Sequence, residues 1–398
     1  MNFIDELLKN EKVEWNKLGE VCEIKRGRVI SKKYLEIHQG EYPVYSSQTR
    51  DNGKIGSINT YDFDGEYVTW TTDGAYAGTI FYRSGKFSVT NICGLIFPKD
   101  KNILNLKFVF YWLQITAKKY VKDGSGNPKL MSNVMGNITI PISSLETQEK
   151  IVKILDKFTE LTAELTAELT AREAQYEYYR NMLLIDQWND KNIKSENAEI
   201  IRTTVGDIIE RYSEKAKNDK NVTTVYSISS ELGMIPSIDY WKKKGSKNKK
   251  SYKMFSDDTS NYNIVRKNMF AYNQGYLNIG SIDCLLNEEA VLVSPLYKIF
   301  KIKENIILPK YLLYFLKTSA VINKIDLMKE SGARNRFDFE KWKKIEINIP
   351  SIEVQKKIIE FLDNFETLVK DIRQGLPREI ELRQKQYEYY REKLLTFE

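Results

Sequence analysis

The sequence predicts an α+β chain built twice over: two β-rich α/β regions separated by a pair of long antiparallel helices, forming a coiled coil with a pseudo-two-fold internal repeat. Three observations predict it. Gln175-Tyr-Glu-Tyr-Tyr-Arg180 recurs unchanged as Gln386-Tyr-Glu-Tyr-Tyr-Arg391, and each copy is followed by a Leu-Leu pair, Leu183-Leu184 and Leu394-Leu395. Between Leu145 and Asp186 there is neither Gly nor Pro, which suits one helix of roughly 40 residues, about 60 Å long. Elsewhere, short β-branched and aromatic runs alternate with turn signals.

The duplication reaches upstream. Pro141…Gln148-Glu-Lys-Ile151 answers Pro350…Gln355-Lys-Lys-Ile358, and Leu155-Asp-Lys-Phe158 answers Leu362-Asp-Asn-Phe365. Ile138-Thr-Ile-Pro141 resembles Ile347-Asn-Ile-Pro350. Lys107-Phe-Val-Phe-Tyr-Trp-Leu113 resembles Lys310-Tyr-Leu-Leu-Tyr-Phe-Leu316. Repeats set the architecture before any single motif does. Each half reads as a β-rich region, a short helix, a loop, a strand ending in Pro, and a long helix.

In chain order, residues 14 to 100 read as short strands. Glu66-Tyr-Val-Thr-Trp-Thr-Thr72 is the clearest, and Asn52-Gly53, Asp73-Gly74 and Ser84-Gly85 are turn signals. Asn105 to Lys122 reads as a helix, Asp123-Gly-Ser-Gly-Asn-Pro128 as a loop. In the long helix Ile151, Leu155, Phe158, Thr162, Leu165 and Leu169 step by four and three, a heptad seam. Ile358, Leu362, Phe365, Val369 and Ile372 repeat it, and two seams of one period are expected to face each other. Gly375-Leu-Pro377 interrupts the second, where Pro377 suits the first residue of a restarted helix.

Inside the first helix, Thr162-Ala-Glu-Leu165 is repeated at once as Thr166-Ala-Glu-Leu169. Phe158 to Gln175 is a step of 17 residues and Phe365 to Gln386 a step of 21, so the halves differ by one such unit. Four helical residues add about 6 Å and a net rotation of about 40°. The unit is either a product of replication slippage without a role or an adjustable spacer.

The second β-rich region opens near residue 200, where Thr204-Val-Gly-Asp-Ile208 echoes Lys17-Leu-Gly-Glu-Val21. Strands are expected at Thr223–Ser229, Ile264–Tyr272 and Ala290–Lys303. Pro309 opens a helix through Met328, and Ser331-Gly-Ala-Arg-Asn-Arg336 takes the place of the Gly124–Lys129 loop.

Bulk composition narrows the function. In 398 residues, 61 Lys and Arg outnumber 54 Asp and Glu, for a formal charge of +7. That balance is compatible with a polyanionic partner. Cys22, Cys93 and Cys284 are too scattered for a disulfide framework or a zinc site. No apolar run approaches the ~20 residues that cross a bilayer, and the charged N-terminus is no signal peptide. A cytoplasmic protein without membrane contact is expected.

The order of regions, the paired Gln-Tyr-Glu-Tyr-Tyr-Arg helices, the tandem Thr-Ala-Glu-Leu units and Tyr42-Pro-Val-Tyr-Ser-Ser-Gln48…Tyr67-Val-Thr-Trp-Thr-Thr-Asp-Gly74 resemble the specificity (S) subunit of type I restriction–modification systems. The likeness covers nearly the whole chain and is most specific in the helices. It implies target recognition domains over residues 1–144 and 191–350, and spacer helices over 145–190 and 351–398. Each domain would read one half of a split double-stranded DNA target. The helices would set the gap and dock two methyltransferase (M) subunits, which restriction (R) subunits would join. In that family the number of Thr-Ala-Glu-Leu units goes with spacer length, which favours the spacer reading. A non-catalytic subunit is implied.

The residues themselves show no catalytic constellation, and no cofactor is expected. A methyltransferase Asn/Asp-Pro-Pro-aromatic motif and a nucleotide-binding Gly-x-x-x-x-Gly-Lys-Ser/Thr are both absent. Gly124-Ser-Gly126 is a turn sooner than a phosphate cradle. Asp62, Asp64, Glu66 and Asp73 match no metal loop, and His38 lacks ligand or triad partners. DNA contacts call for phosphate donors and a few base readers. In the first region the candidates are Lys25, Arg26, Arg28, Ser46, Ser47, Gln48, Arg50, Lys54 and Lys129. In the second they are the basic run Lys242, Lys243, Lys244, Lys247, Lys249 and Lys250, with Arg266, Tyr272, Asn273, Arg334 and Arg336. Taken singly each is more readily a solvated surface residue than a contact; as groups they point to DNA.

For the repeated hexapeptide, Gln175, Tyr176, Tyr179, Arg180, Gln386, Tyr387, Tyr390 and Arg391 are partner anchors or pack the helix pair against itself. Glu160, Glu164 and Glu168 form a like-charge row, solvated or facing a basic partner. Two other functions compete: an autonomous methyltransferase–nuclease, which the missing motifs oppose, and a coiled-coil protein-binding scaffold without DNA specificity.

Overall fold

A computed structural model describes residues 7–8, 11–122, 126–186, 200–230, 232–243, 258–303, 305–329, 337–370 and 375–397. Lys244, Lys247, Lys249, Lys250, Arg334, Arg336, Gly124 and Ile372 lie outside the described residues, as does the side chain of Lys243. The chain forms two compact units, Met1–Thr166 with Glu379–Glu398, and Ala167–Arg378.

The first unit runs β1 (Glu14–Lys17), α1 (Leu18–Val21), β2 (Cys22–Arg26), α2 (Lys32–Ile37), β3 (Gln39–Tyr45), β4 (Lys54–Ile58), β5 (Phe63–Thr71), β6 (Ile80–Val89) and β7 (Cys93–Pro98). Then come α3 (Leu106–Thr116), α4 (Ser132–Gly136), β8 (Thr139–Ile142) and the start of α5 (Leu145–Asn181). The main sheet has the order β2-β7-β5-β6-β3-β4, with β3 and β6 parallel. β1 pairs with β8, so Trp15 lies opposite Pro141. The core joins sheet to helices through Trp70, Phe108, Leu113, Ile151, Leu155 and Leu394.

Two expectations change here. Ser84-Gly85 is no turn: it lies within β6, with Gly85 opposite Gly65. Both glycines take positive φ, 84° and 124°, which a residue without Cβ adopts at little cost, so the hairpin bends without ending. The helix expected to reach Lys122 is α-helical only to Thr116 and continues as a 3₁₀ turn, Ala117–Tyr120. Its start is as read: Asn105 Oδ1 accepts from the Lys107 and Phe108 N–H groups at 2.9 and 3.2 Å.

The second unit repeats the plan with breaks. It contains β9 (Ile201–Thr204), α6 (Val205–Ile208), β10 (Ile209–Tyr212), β11 (Val225–Ser229), β12 (Gly233–Pro236), α7 (Ser237–Lys243), β13 (Asn263–Arg266), β14 (Phe270–Asn273), β15 (Ile282–Cys284), β16 (Ala290–Val293) and β17 (Tyr297–Ile302). α8 (Pro309–Leu316), α9 (Ser319–Leu327), α10 (Phe339–Trp342), β18 (Glu346–Ile349), α11 (Ile352–Lys370) and α12 (Leu376–Leu394) complete the chain, the last lying mostly in the first unit. β9 pairs with β18 as β1 does with β8. The main sheet is split into β10-β17-β14-β15 and β12-β11-β16-β13.

Three expected elements therefore divide. Ile264–Tyr272 becomes β13 and β14, in different sheets, because Asn268 turns left-handed (φ 64°) and donates its N–H to Leu285 O at 2.7 Å. Ala290–Lys303 becomes β16 and β17, interrupted at Ser294-Pro295-Leu296, where Pro295 has no N–H for a ladder. The helix from Pro309 breaks at Thr318, whose hydroxyl caps α9 by accepting from Val321 N at 3.3 Å.

Beneath these differences the duplication extends to individual hydrogen bonds. Gln148 is fully buried; its Oε1 accepts from Asn105 N (2.9 Å) and its Nε2 donates to Ile103 O and Ser143 O, both at 2.9 Å. Gln355 does the same with Leu308 N (2.8 Å), Ile306 O (2.9 Å) and Pro350 O (2.8 Å). Lys107 and Tyr111 hold Asp156 at 2.6 and 2.7 Å. Lys310 holds Asp363 at 2.7 Å, with the Tyr314 hydroxyl alongside. Lys99 donates to the carbonyls of Gly19 and Glu20, and Lys303 to those of Gly206 and Asp207.

The long helix is continuous from Leu145 to Asn181, and its last turn, Met182–Asp186, is π-helical. In the first unit Phe158 meets Tyr390, and Ile151 and Leu155 share a core with Tyr387 and Leu394. In the second, Tyr176 meets Phe365 and Tyr179 meets Phe361. In the second unit the contacts step in opposite directions along the two helices, the mark of an antiparallel pair. Among the described residues no helix is long and apolar enough to cross a membrane.

Candidate nucleic-acid interface

In the first unit, the end of β5 gathers two of the sequence candidates around one carboxylate. Arg26, at the end of β2, donates from Nη2 to Thr72 Oγ1 at 2.8 Å and stands 3.9 Å from Asp73 Oδ2. Lys129 approaches the other oxygen of Asp73, also at 3.9 Å. The Thr72 hydroxyl donates to Asp73 Oδ2 at 2.6 Å. Leu130 N–H donates to Thr72 O, and the Trp70 indole to Leu130 O, which locks the later loop to the strand end. The result is a guanidinium and an ammonium held in fixed positions at one end of the sheet. Lys25 does not join them, because strand alternation sends it to the other face; its Nζ lies 5.1 Å from the Phe97 ring centre.

A second group forms between β3 and β4. The turn Arg50–Gly53 contains Asp51 and Asn52 at φ 47° and 52°, unusual for residues with a Cβ. It is held by Arg83, only 4 % exposed, which donates from Nη2 to Asn52 O at 2.6 Å and from Nε to Thr69 Oγ1 at 3.3 Å. Its guanidinium lies 3.7 Å from the Tyr45 ring centre and 4.4 Å from that of Phe81. Among the described residues no carboxylate pairs with it. Ser46 is buried and accepts from Thr90; Ser47 donates to Ile92 O, and Gln48 to Lys54 O. Gln48 and Arg50 remain exposed beside and on this turn. Arg28 stands apart, donating to both oxygens of Asp62 near 3 Å.

The second unit treats its candidates differently. Arg266 is enclosed by acids, donating to both oxygens of Glu214 (2.9 and 2.6 Å) and to Asp219 (3.1 Å). Those bonds hold the Glu214 carboxyl below its usual range. Tyr272 is core, 1 % exposed among Phe300 and Trp342. Asn273 braces its own turn, accepting from Gly275 N. Lys242 is exposed and pairs with Asp239 at 3.3 Å. A cleft of about 460 Å³ lies beside Tyr272, with Arg211, Ser213, Lys215, Gln274 and Lys298 in its lining.

On the helices, the hexapeptide has an inward and an outward face. Tyr176 and Tyr387 are buried at 3 % and 9 % exposure, while Tyr178 and Tyr389 stand 64 % and 51 % exposed. Tyr179 and Tyr390 are half-buried ring partners of Phe361 and Phe158. Arg180 and Arg391 lie over Tyr176 and Tyr387, with guanidinium carbons 5.2 and 5.1 Å from the ring centres. Gln175 is half-buried and accepts from Arg172 Nη1 at 3.1 Å, and Gln386 is exposed. Glu177 accepts from Ser319 N–H at the start of α9. The acidic row is flanked by cations, Lys157 beside Glu160 and Arg172 beside Glu168. Among the described residues no cluster of three or more His, Cys, Asp or Glu could hold a metal.

A family model, the type I restriction modification DNA specificity domain, matches residues 10–172 and again 197–382. S.MpnORF507P of Mycoplasma pneumoniae, a protein named as a type I specificity subunit, is 33 % identical over 387 residues, covering 96 % of this chain and 97 % of its own. The chain belongs to the type I specificity subunit family. The specificity subunit of the Mycoplasma pneumoniae type I restriction enzyme MpnII shares 44 % identity over 168 residues, 41 % of this chain and half of that one. The crystal structure of a type I restriction–modification S subunit from M. genitalium has the same fold, with a TM-score of 0.58 at 14 % identity over 98 % of this chain and 97 % of that one. A structure described for complex assembly and conformational transition of the type I system gives 0.59 at 13 % identity over 98 % of both.

A specificity subunit supplies the DNA-sequence recognition of such a system and is generally not its catalyst. Among the candidate residues that the geometry adds, sequence reasoning misses Thr72, Arg83, Ser213, Lys215, Gln274, Lys298, Tyr178 and Tyr389. Thr72 and Asp73 follow the clearest strand in the chain, which is a usable signal. Nothing in Phe81-Tyr-Arg83 marks a buried cation.

Proposed function

We propose that this specificity subunit binds a bipartite, asymmetric double-stranded DNA target through two recognition domains, residues 1–144 and 191–350. The spacer helices, 145–190 and 351–398, set the gap and dock two methyltransferase subunits, to which restriction subunits join. The observation that carries this reading is one scaffold with two different strand ends. Buried Gln148 and Gln355 make the same three bonds, yet Arg26, Thr72 and Asp73 at the first strand end answer to Ser213, Gln274 and Gly275 at the second. One frame presenting unlike side chains suits two unlike half-sites.

In the first domain Arg26, Lys129, Gln48 and Arg50 are the contacts we favour, and in the second the basic run from Lys242 to Lys250. For methyltransferase docking the outward Tyr178 and Tyr389 suit a partner better than buried Tyr176 and Tyr387, since interface cores favour exposed aromatic anchors. The test is to express the chain with its methyltransferase subunit and map methylation across a genome. A split, non-palindromic sequence with a fixed gap is the expected result. A palindromic or uninterrupted site would overturn the proposal.

A further inference from the structure

The two strand ends differ in one more respect. In the first unit Arg26 pairs across the sheet with Gly94, and the pairing of β2 with β7 has the same register as that of β10 with β17. Carried one residue beyond Tyr212–Ile299, that register sets Ser213 opposite Lys298. Ser213 therefore stands where the first unit has Arg26. Likewise Gln274 stands where it has Thr72: Phe337 N–H donates to Gln274 O as Leu130 N–H does to Thr72 O. In the first unit the arginine, bound to Thr72 and beside Asp73, fills the strand end. In the second a serine leaves the cleft of about 460 Å³ open.

The lining of that cleft is cationic. Lys298 is exposed, and its side chain has no hydrogen bond or ion pair among the described residues. Among the described residues Lys215 Nζ is bound to neutral oxygens alone, Asn263 Oδ1 at 2.6 Å and Asn261 O at 3.2 Å. Arg211 pairs with Glu340 at 3.5 Å, outside the lining. No carboxylate is among the described lining residues. Such a site attracts an anion, and its concavity selects which part of a duplex enters. Base edges lie on a groove floor about 8.5 Å deep, out of reach of a recess. The sugar–phosphate backbone is the convex ridge.

We infer that this cleft is a DNA-backbone clamp, in which Lys215 and Lys298 bind phosphates of one strand beside the second half-site. The inference rests on the DNA-reading role proposed above. A clamp of this kind adds affinity and fixes orientation without reading sequence.

The test uses the full chain in complex with its methyltransferase subunit and compares wild type with the Lys215→Gln/Lys298→Gln double variant. Binding is measured over a salt series to a duplex containing the mapped target and to an unrelated duplex. The double variant should lose about tenfold or more on both duplexes alike, and its slope of log affinity against log salt should flatten by about 0.9 for each phosphate no longer neutralised. The methylated sequence should stay the same. Ser213→Glu, which adds a carboxylate to an exposed position without touching the core, should weaken both duplexes in the same way. Unchanged affinity and slope would overturn the clamp, and so would a changed recognition sequence, which would make the cleft a base reader. A wild-type complex indifferent to DNA would instead overturn the recognition role itself.

Discussion

The ring of Tyr390 lies stacked on that of Phe158, with centroids 5.2 Å apart and planes 23° apart. Tyr179 makes the corresponding contact with Phe365 at 6.1 Å. Both tyrosines are the fifth residue of the repeated hexapeptide, and both phenylalanines close the repeated Leu-Asp-x-Phe segment. Each unit thus uses one copy of the first motif to fix the register of the second. The tandem Thr-Ala-Glu-Leu units lie in α5 between Phe158 and Tyr179. Their threonines suit that place: Thr162 and Thr166 donate back to the carbonyls of Phe158 and Thr162, satisfied within their own helix.

Deleting Thr166–Leu169 removes one unit, about 6 Å of helix. If the helices set the gap, the preferred spacer shortens by about one or two base pairs at 3.4 Å each. Methylation mapping of the deletion variant reads this directly, and an unaltered gap would defeat the spacer role.

Gln148→Ala strands Asn105 N–H and the carbonyls of Ile103 and Ser143. Losing buried partners costs about 1–3 kcal/mol per unsatisfied group, so with three groups stranded the first unit should weaken by at least ~3 kcal/mol. Hydrogen exchange should speed up around residues 103–116. Gln355→Ala should do the same around 306–316. Protection unchanged in both would mean these bonds are not structural.

Tyr178→Ala and Tyr389→Ala remove exposed rings and should alter stability by less than about 0.5 kcal/mol. Co-purification of the methyltransferase subunit should nonetheless fall. Tyr176→Ala and Tyr387→Ala empty core positions and should cost ~3–5 kcal/mol. If the exposed tyrosines leave capture intact while the fold is sound, docking lies elsewhere.

Arg83→Met keeps the bulk of a buried side chain but frees Asn52 O and the Arg50–Gly53 turn. Discrimination at the first half-site should fall by about 1.4 kcal/mol, roughly tenfold, with the second half-site unaffected. Competition binding with half-site variants separates the two, and equal loss at both would mark a general folding defect.

The repeat carries most of what is legible in the sequence. The apolar helix seams, whose Phe158 and Phe365 meet the hexapeptide tyrosines rather than each other, the strands beside Pro141 and Pro350, the echo of Lys17–Val21 in Thr204–Ile208 and the family likeness all follow from residues near in sequence, although β8 runs past Pro141 to Ile142 and β18 stops at Ile349. The candidate sites are legible only in part. Arg26 and Lys129 stand out as cations, but Asp73 reads as an isolated acid with no hint that it lies between them. Arg266 and Tyr272 give no sign of their acid cage and aromatic core. Asn268 and Pro295 are ordinary turn residues, yet they split two strands that read as continuous.

By itself, the sequence determined the periodic features: which helix faces are apolar, where the copies align and how many Thr-Ala-Glu-Leu units α5 holds. Only tertiary structure decided which polar side chains are consumed internally and which face outward. Helix and strand periodicity is a local property, set by 3.6 and 2 residues per repeat. Whether an arginine meets a carboxylate, a ring or water depends on residues dozens of positions away, as Arg26 with Asp73 and Arg83 with Asn52 both show.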